Sequence, residues 1–349
     1  LEHDPGAQIR AWGGDRMEAA GATLAQHYRA GAFMGFAEVL LHLRSIFRNI
    51  RTCKEDIARY NPEVVIFIDY PGFNLRIAPW AHKRGYKTVY YIAPQAWAWR
   101  KERAHLLRKA VDQLLVILPF EKSFFENYRV PTQFVGHPLL DALDQRPPVQ
   151  REKQLRAWDV PPDIPVVALL PGSRSQEIKV MLPLMLEAAS RESCTPVIAG
   201  APSQNPDLYR GLVKDYPRAR LLDGHTYELL EVADAALVTS GTATLEAALF
   251  GVPEVVCYRG SWLSYQIARR LVQVSYISLV NLIMDRAVVT ELIQNELSAS
   301  RLHQELRDCL SPKKRSAVQK DYHLLRQKLG GIGASQKAAQ AIFKITSQE

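Results

Sequence analysis

Residues 165–189 read PVVALLPGSRSQEIKVMLPLMLEAA: an uncharged apolar run, a Pro-Gly turn closed by Ser173 and Arg174, then helical text from Gln176 to Ala189. A short apolar run, a turn and a helix form the repeating unit of a parallel sheet that helices bury on both faces. Downstream the pattern recurs at 196–199 (PVIA), 219–222, 235–238 (AALV) and 254–258 (EVVCY). Upstream it appears at 63–69 (EVVIFID), 88–92 (TVYYI), 113–118 (QLLVIL) and 133–135. Between these groups, residues 144–153 (DQRPPVQREK) carry two adjacent prolines among mixed charges, the text of a linker. The fold class expected is therefore α/β, with two Rossmann-like domains, parallel sheets flanked by helices and a helical C-terminal tail. The domains are expected at 1–146 and 147–349, the tail running over about 298–345 with a break at Gly330–Gly331.

Composition agrees with that organisation. A chain of 349 residues that is 47% hydrophobic can bury a large core, and at this length two domains are the natural outcome. No uninterrupted apolar run approaches the ~20 residues of a membrane-spanning helix. Cys53, Cys194, Cys257 and Cys309 are far apart and form no CxxC, which points to a reducing cytoplasm. The histidines form no HxxH or His/Cys cluster, so metal-independent chemistry without a cofactor is expected. Leu1 opens polar, turn-like text, from which a missing natural start is expected.

Positive charge is concentrated. Arg76, Lys83, Arg84, Lys87, Arg100, Lys101, Arg103, Arg108 and Lys109 face one acid, Glu102, within 76–109, and Trp80, Trp97 and Trp99 lie in the same stretch. Such a field attracts phosphate groups. Among bases, aromatics suit single-stranded RNA, a membrane interface or a sugar-stacking pocket, and a solvated helix face is the plain alternative.

Ligands of open α/β sheets bind beyond the carboxyl ends of the strands, which singles out four stretches. In 170–174 (LPGSR), Gly172 permits close backbone approach, Ser173 and the following helix offer donors, and Arg174 adds a forked cation, a set suited to pyrophosphate. An ordinary strand-to-helix turn is the alternative. In 239–246 (TSGTATLE), Ser240 and Thr242 read as helix N-caps able to donate to phosphate around Gly241, and Glu246 as an acceptor for ribose hydroxyls or a carboxylate at a helix N-terminus. Asp69, closing an apolar run ahead of Pro71 and Gly72, is placed for general-base work or for capping loop N–H groups. Finally, 33–51 (FMGFAEVLLHLRSIFRNIR) puts Phe36, Leu40, Leu43, Phe47 and Ile50 on one helical stripe bordered by Arg44, Arg48 and Arg51, a membrane-surface pattern or a core-facing helix.

Several strings together resemble one family. Phe67-Ile-Asp-Tyr-Pro-Gly-Phe-Asn74, Ile92-Ala-Pro-Gln-Ala-Trp-Ala-Trp-Arg100, Leu118-Pro-Phe-Glu-Lys122, Val135-Gly-His-Pro138, Leu169-Leu-Pro-Gly-Ser-Arg174, Thr239-Ser-Gly-Thr-Ala-Thr-Leu-Glu246 and Ser278-Leu-Val-Asn-Leu282 are similar to the lipid-A-disaccharide synthases, inverting glycosyltransferases of GT-B fold. The resemblance runs from about Ala11 to the C-terminus. It implies transfer from UDP-2,3-diacylglucosamine to the 6-hydroxyl of 2,3-diacylglucosamine 1-phosphate with release of UDP. It gives Asp69 the role of general base and Arg174 that of an activity-critical arginine. Asn281 and His137 fall among substrate-binding positions, beside Gly172, Ser173, Ser240, Gly241, Thr242 and Glu246. Phe36, Leu40, Leu43 and Phe47 match a membrane-contacting region. Relatives open with a strand and a Gly-Glu-(Ala/Thr)-Ser-Gly-Asp loop upstream of this chain's start, and many carry Asp where Gly72 stands.

The same resemblance implies an acceptor- and membrane-facing first domain and a UDP-sugar-binding second one. It also implies contact with anionic inner-membrane lipids on the cytoplasmic side, and a homodimer swapped through C-terminal helices. Rival readings are a peptidoglycan glucosaminyltransferase, a UDP-N-acetylglucosamine 2-epimerase, or a non-enzymatic RNA- or membrane-binding protein. The epimerase has no use for the 33–51 stripe, and nucleic-acid binding leaves the loops at Gly172 and Ser240 without a purpose.

Overall fold

The computed structural model describes residues 3–28, 43–260 and 274–347, with the backbone alone at Leu43 and Arg44. Contacts divide the chain into two compact units, Leu1–Gly136 with Gly333–Glu349, and His137–Ile332. The sequence placed the cut at 146/147 and the whole tail in the second domain. The contacts cut earlier, at Gly136, and return the last helix to the first unit.

The first unit holds a parallel sheet of β3 (Val64–Ile68), β4 (Lys87–Tyr91), β5 (Gln113–Val116) and β6 (Thr132–Phe134) in sequential order. Helices Pro71–Lys83 and Pro119–Asn127 provide crossovers, each opening on a proline whose missing N–H costs nothing there. One face of this sheet packs Phe67, Tyr90 and Leu114 against Ile77, Leu107 and Phe125. Across the other face, Val89, Leu115 and Val135 meet Ala338 and Ala341 of the C-terminal helix Ala334–Thr346. That helix is further tied by Lys87 Nζ, which donates to the carbonyl of Ile345 at 2.9 Å.

Two short strands escape the apolar-run rule. β1 (Arg10–Gly13) and β2 (Thr23–His27) pair in parallel as a separate ribbon. Arg10 and Trp12 both donate to the buried carboxylate of Asp56, which fixes the ribbon to helix Leu43–Tyr60. The guanidinium of Arg10 is the main cause that holds the Asp56 carboxyl below its usual range.

β3 departs from expectation. As an edge strand it buries Val65 and Phe67 and leaves Ile66 and Ile68 at 41% and 40% exposure, so its apolar run is covered on one face rather than two. The helix read at 33–51 also differs. Residues 33–42 lie outside the described residues, and from Leu43 the helix continues to Tyr60. Its core face is Ile46, Ile50, Cys53 and Ile57, so Ile50 faces inward while Phe47 is 59% exposed.

In the second unit, six parallel strands run β12 (Thr290–Ile293), β11 (Glu254–Tyr258), β10 (Ala235–Thr239), β7 (Val166–Leu170), β8 (Thr195–Gly200), β9 (Arg220–Asp223). The chain steps outward from β7 to β9, returns to the far side of β7 at β10, and steps outward again to β12. β7 and β10 are buried along their whole length, as central strands between two helical layers must be. Val167 and Leu169 pack on Ile178, Leu182 and Met185 of helix Ser175–Ser190 and on Leu302 and Leu306 of helix Ala299–Cys309. Ala168 and Leu170 pack on Leu229 and Ala247. Each fully buried Leu, Ile or Met contributes roughly 1.5–3 kcal/mol of transfer free energy.

Candidate functional site

The order of strands in the second unit reverses between β7 and β10, which pair directly with Val238 opposite Leu170. Nucleotides bind at such a switch point, outside the carboxyl ends of the two strands. Both phosphate-type loops of the sequence leave the sheet there on neighbouring strands.

After β7, Gly172 adopts φ +105°, and a Cβ there would lie 2.7 Å from Glu177 Oε2. Backbone conformation and space both demand glycine. Glu177 turns back to accept from the Arg174 N–H at 3.3 Å and from Arg174 Nη1 at 2.7 Å. Arg174 is thus paired, but at 80% side-chain exposure the pair is worth about 0–1 kcal/mol and holds the guanidinium only weakly. Gln204 braces the loop by donating to the Ser173 carbonyl at 2.9 Å.

After β10, the capping expected of Ser240 and Thr242 is absent. Gly241 holds the N-cap position with no side-chain cap, and Ser240 Oγ donates away from the helix, to the Ile277 carbonyl at 3.2 Å. No side chain caps the start of helix Thr242–Leu249, the kind of helix end at which anions bind. A Cβ on Gly241 would meet nothing nearer than 4.0 Å, so neither packing nor strain requires glycine there. Glu246, half-buried one turn into the helix, accepts from Tyr227 Oη at 2.9 Å, and burial raises its carboxyl pKa against that hydrogen bond.

Asn281 has a different setting from that of an open binding residue. It is buried, its Oδ1 accepts from Val288 and Val289 N–H at 2.7 and 3.0 Å, and its Nδ2 donates to the Val289 carbonyl and to Glu291 Oε1, each at 2.9 Å. Glu291, unmarked in the sequence, gathers the whole corner. It accepts from Ile277 N–H, Ser278 N–H, Ser278 Oγ and Asn281, and Ile277 in turn receives the Ser240 hydroxyl. This chain of bonds links Asn281 to Ser240 at the end of β10.

In the first unit, the carboxyl end of β3 carries two consecutive left-handed residues, Asp69 (φ +45°) and Tyr70 (φ +44°). Such residues cost of order 1–3 kcal/mol each and persist where neighbours over-determine them. Here Asn74 Nδ2 donates to the Ile68 and Asp69 carbonyls at 3.1 and 2.7 Å, and Tyr90 Oη donates to the Asp69 carbonyl at 2.7 Å. The backbone of Asp69 is clamped while its exposed carboxylate has no hydrogen-bond or ion-pair partner among the described residues. A loop cap would have shown the reverse.

One strand over, Trp97 Nε1 donates to Glu121 Oε1 at 3.0 Å, and Glu121 Oε2 accepts from the N–H groups of Leu118 and Ile117 at 3.0 and 3.3 Å. Burial outweighs those three donors and pushes the Glu121 carboxyl up to about 7. Sequence reasoning gave Glu121 no role. Its position three residues past the helix start, after a proline, was the available signal.

His137 caps helix Pro138–Asp144, its Nδ1 accepting from the Leu139 N–H at 3.2 Å, and burial lowers its pKa to about 4. It is a buried, neutral helix cap. Phe36 and Leu40 lie outside the described residues, as does the Leu43 side chain, so of the four expected membrane-contacting positions Phe47 is the one described, while Ile50 of the same stripe is buried. Among the described residues, no helix is long and apolar enough to cross a membrane.

A family model described as lipid-A-disaccharide synthetase matches residues 1–345. The chain is 40% identical to the lipid-A-disaccharide synthase of Syntrophus aciditrophicus (strain SB) over 97% of its length and 90% of that protein's. It is 36% identical to the synthase of Geobacter sulfurreducens, over 100% and 92%. Among solved structures it is similar to the calicheamicin glycosyltransferase CalG4, with a TM-score of 0.58 at 18% identity over 96% and 88% of the two chains. UDP-GlcNAc 2-epimerase from Neisseria meningitidis gives 0.62 at 12% identity over 94% and 87%. At these identities the structures establish a shared fold, that of the GT-B glycosyltransferases.

Proposed function

The chain belongs to the lipid-A-disaccharide synthetase family, and from that premise we propose how its residues share out the reaction. It is a glycosyltransferase of lipid A biosynthesis. The donor is UDP-2,3-diacylglucosamine and the acceptor 2,3-diacylglucosamine 1-phosphate. Asp69 takes the proton from the acceptor 6-hydroxyl as that oxygen forms its bond to C1 of the donor sugar. The bond from C1 to the β-phosphate oxygen breaks with its electron pair, UDP leaves, and the anomeric centre inverts.

In this reading the second unit holds the nucleotide. The direct pairing of β7 with β10 carries that assignment, because it sets the Gly172–Arg174 loop and the uncapped helix start at Gly241 on adjacent strand ends. Gly172 and Gly241 admit the diphosphate to backbone N–H groups, Arg174 leaves Glu177 to neutralise charge that grows on the departing phosphate, and Glu246, oriented by Tyr227, accepts from ribose hydroxyls. Ser173 and Thr242 supply further donors, while Ser240, Asn281 and His137 hold local structure. The Phe47 end of helix Leu43–Tyr60 meets anionic lipid at the inner face of the inner membrane.

Substituting Asp69→Asn should lower kcat by at least the ~10²–10⁴-fold typical of a lost general base, with UDP affinity retained. Disaccharide 1-phosphate formation in detergent with EDTA present reads this out. Turnover within a few-fold of the parent would remove Asp69 as base, and loss of activity of the parent chain in EDTA would overturn the metal-free mechanism.

A further inference from the structure

Several described arginines outside the two nucleotide loops are answered by carboxylates: Arg10 by Asp56, Arg146 by Glu228, Arg151 by Asp234, Arg286 by Asp321. Arg100 and Arg103 are not. They straddle one ring, with the Arg100 Cζ 4.3 Å and the Arg103 Cζ 5.5 Å from the centroid of Trp99, which is itself 45% exposed. Neither guanidinium has a hydrogen-bond or ion-pair partner among the described residues, and Arg103 is half-buried.

Two like charges beside one aromatic ring, one of them partly desolvated, favour an anion between them. Burial and the charge of Arg100 both hold the Arg103 pKa below its ordinary value, with Glu102 and Tyr90 opposing. Tyr90 also fixes where the pair lies. Its hydroxyl donates to the Asp69 carbonyl, and the Tyr90 hydroxyl feels the charges of both Asp69 and Arg103. Arg103 and the proposed base therefore both lie within electrostatic reach of the Tyr90 hydroxyl.

We propose that Arg100 and Arg103, across the face of Trp99, form the seat for a phosphate monoester, the 1-phosphate of the acceptor sugar. This rests on the transfer reading above and adds to it the group by which the acceptor is chosen. Guanidinium forks match the oxygens of a phosphate dianion. With its phosphate seated there and its ring spanning the gap, the acceptor turns its far hydroxyl toward Asp69. The nucleotide diphosphate is already accounted for on the other unit, so this second anion seat distinguishes acceptor from donor.

The test compares kcat/KM of the full chain for the acceptor with and without its 1-phosphate, at saturating UDP-sugar. Arg103→Ala and the Arg100→Ala/Arg103→Ala pair should lower kcat/KM for the phosphorylated acceptor roughly 10- to 100-fold, through KM, and barely move it for the dephosphorylated one. Arg103→Lys, which keeps the charge and loses the fork, should fall between. Retained UDP affinity certifies folding of the donor unit, and an unchanged donor KM certifies that the loss is on the acceptor side. Equal losses on both acceptors, or a parent enzyme indifferent to the phosphate, would overturn the proposal. So would variants that lose binding to phosphatidic-acid vesicles yet keep the acceptor preference, since the seat would then serve a lipid headgroup. No product from the parent with either acceptor, while UDP still binds, would overturn the transfer reading itself.

Discussion

At the scale of single residues, burial and hydrogen bonding separate groups that the sequence shows as equals. Asp69 and Glu121 are both carboxylates at strand ends of one sheet, yet one is open and the other is enclosed with three donors. Because burial pushes the Glu121 carboxyl up to about 7 from its ordinary 4.5, the native state holds more protons than the unfolded chain between those two values. The contribution of Glu121 to stability is therefore full below about pH 4.5 and is lost as pH rises through 7, by up to about 3 kcal/mol. Urea unfolding of the parent and of Glu121→Gln should diverge across that window, the parent losing stability with rising pH relative to the variant, and parallel profiles would show that Glu121 titrates normally. Glu254 is a second enclosed carboxyl, with both oxygens unpartnered among the described residues and its pKa pushed well upward by burial and by the nearby Glu291.

At the scale of elements, the two glycine loops make opposite demands on sequence. Gly172 is required by its own backbone and by Glu177, whereas Gly241 is required by nothing in the protein. A Gly241→Ala chain should unfold at the parent temperature and bind UDP at least about tenfold more weakly, the cost of roughly one charge-assisted hydrogen bond to phosphate. Gly172→Ala should lose thermal stability as well. Calorimetry beside UDP titration checks both, and unchanged UDP affinity in Gly241→Ala would place the diphosphate elsewhere. Helix Leu43–Tyr60 allows a similar contrast between neighbouring turns. Phe47→Ser should weaken binding to anionic vesicles without destabilising the chain, while Ile50→Ser should cost about 2–5 kcal/mol of stability by emptying a core site. Vesicle flotation paired with thermal unfolding separates the two, and unaltered flotation of Phe47→Ser would count against the lipid contact.

At the scale of the whole molecule, what the sequence made legible was the repeated strand-turn-helix unit, because buried parallel strands are written as uninterrupted apolar runs. β11 coincides with its run 254–258, and the central strands β7 and β10 differ from theirs by a residue. Strands with little apolar text, RAWG of β1, TLAQH of β2 and TELI of β12, carried no such signal. Nor did the partners of Asn281 and Glu291, which are set by tertiary contacts across a turn. The destination of the C-terminal helix was hidden for the same reason: its alanines read as a generic tail, yet they cover Val89, Leu115 and Val135 of the first unit's sheet. That helix follows helix Pro312–Lys328 through Gly330-Gly-Ile-Gly333, whose three glycines all have positive φ. A hinge of that composition can deliver the helix to its own sheet or, with the same contacts, to the sheet of a second copy, and exchange between copies makes a dimer without any new interface chemistry. We propose, as the family resemblance implies, a homodimer joined through the C-terminal helices, with twice the 39.4 kDa of one chain. Sedimentation equilibrium should return that doubled mass. Crosslinking a cysteine introduced at Ala338 to one introduced at Leu115 should then yield a covalent dimer if the helices are exchanged and a crosslinked monomer if they are not. A monomeric mass at micromolar concentration would rule out the exchange outright.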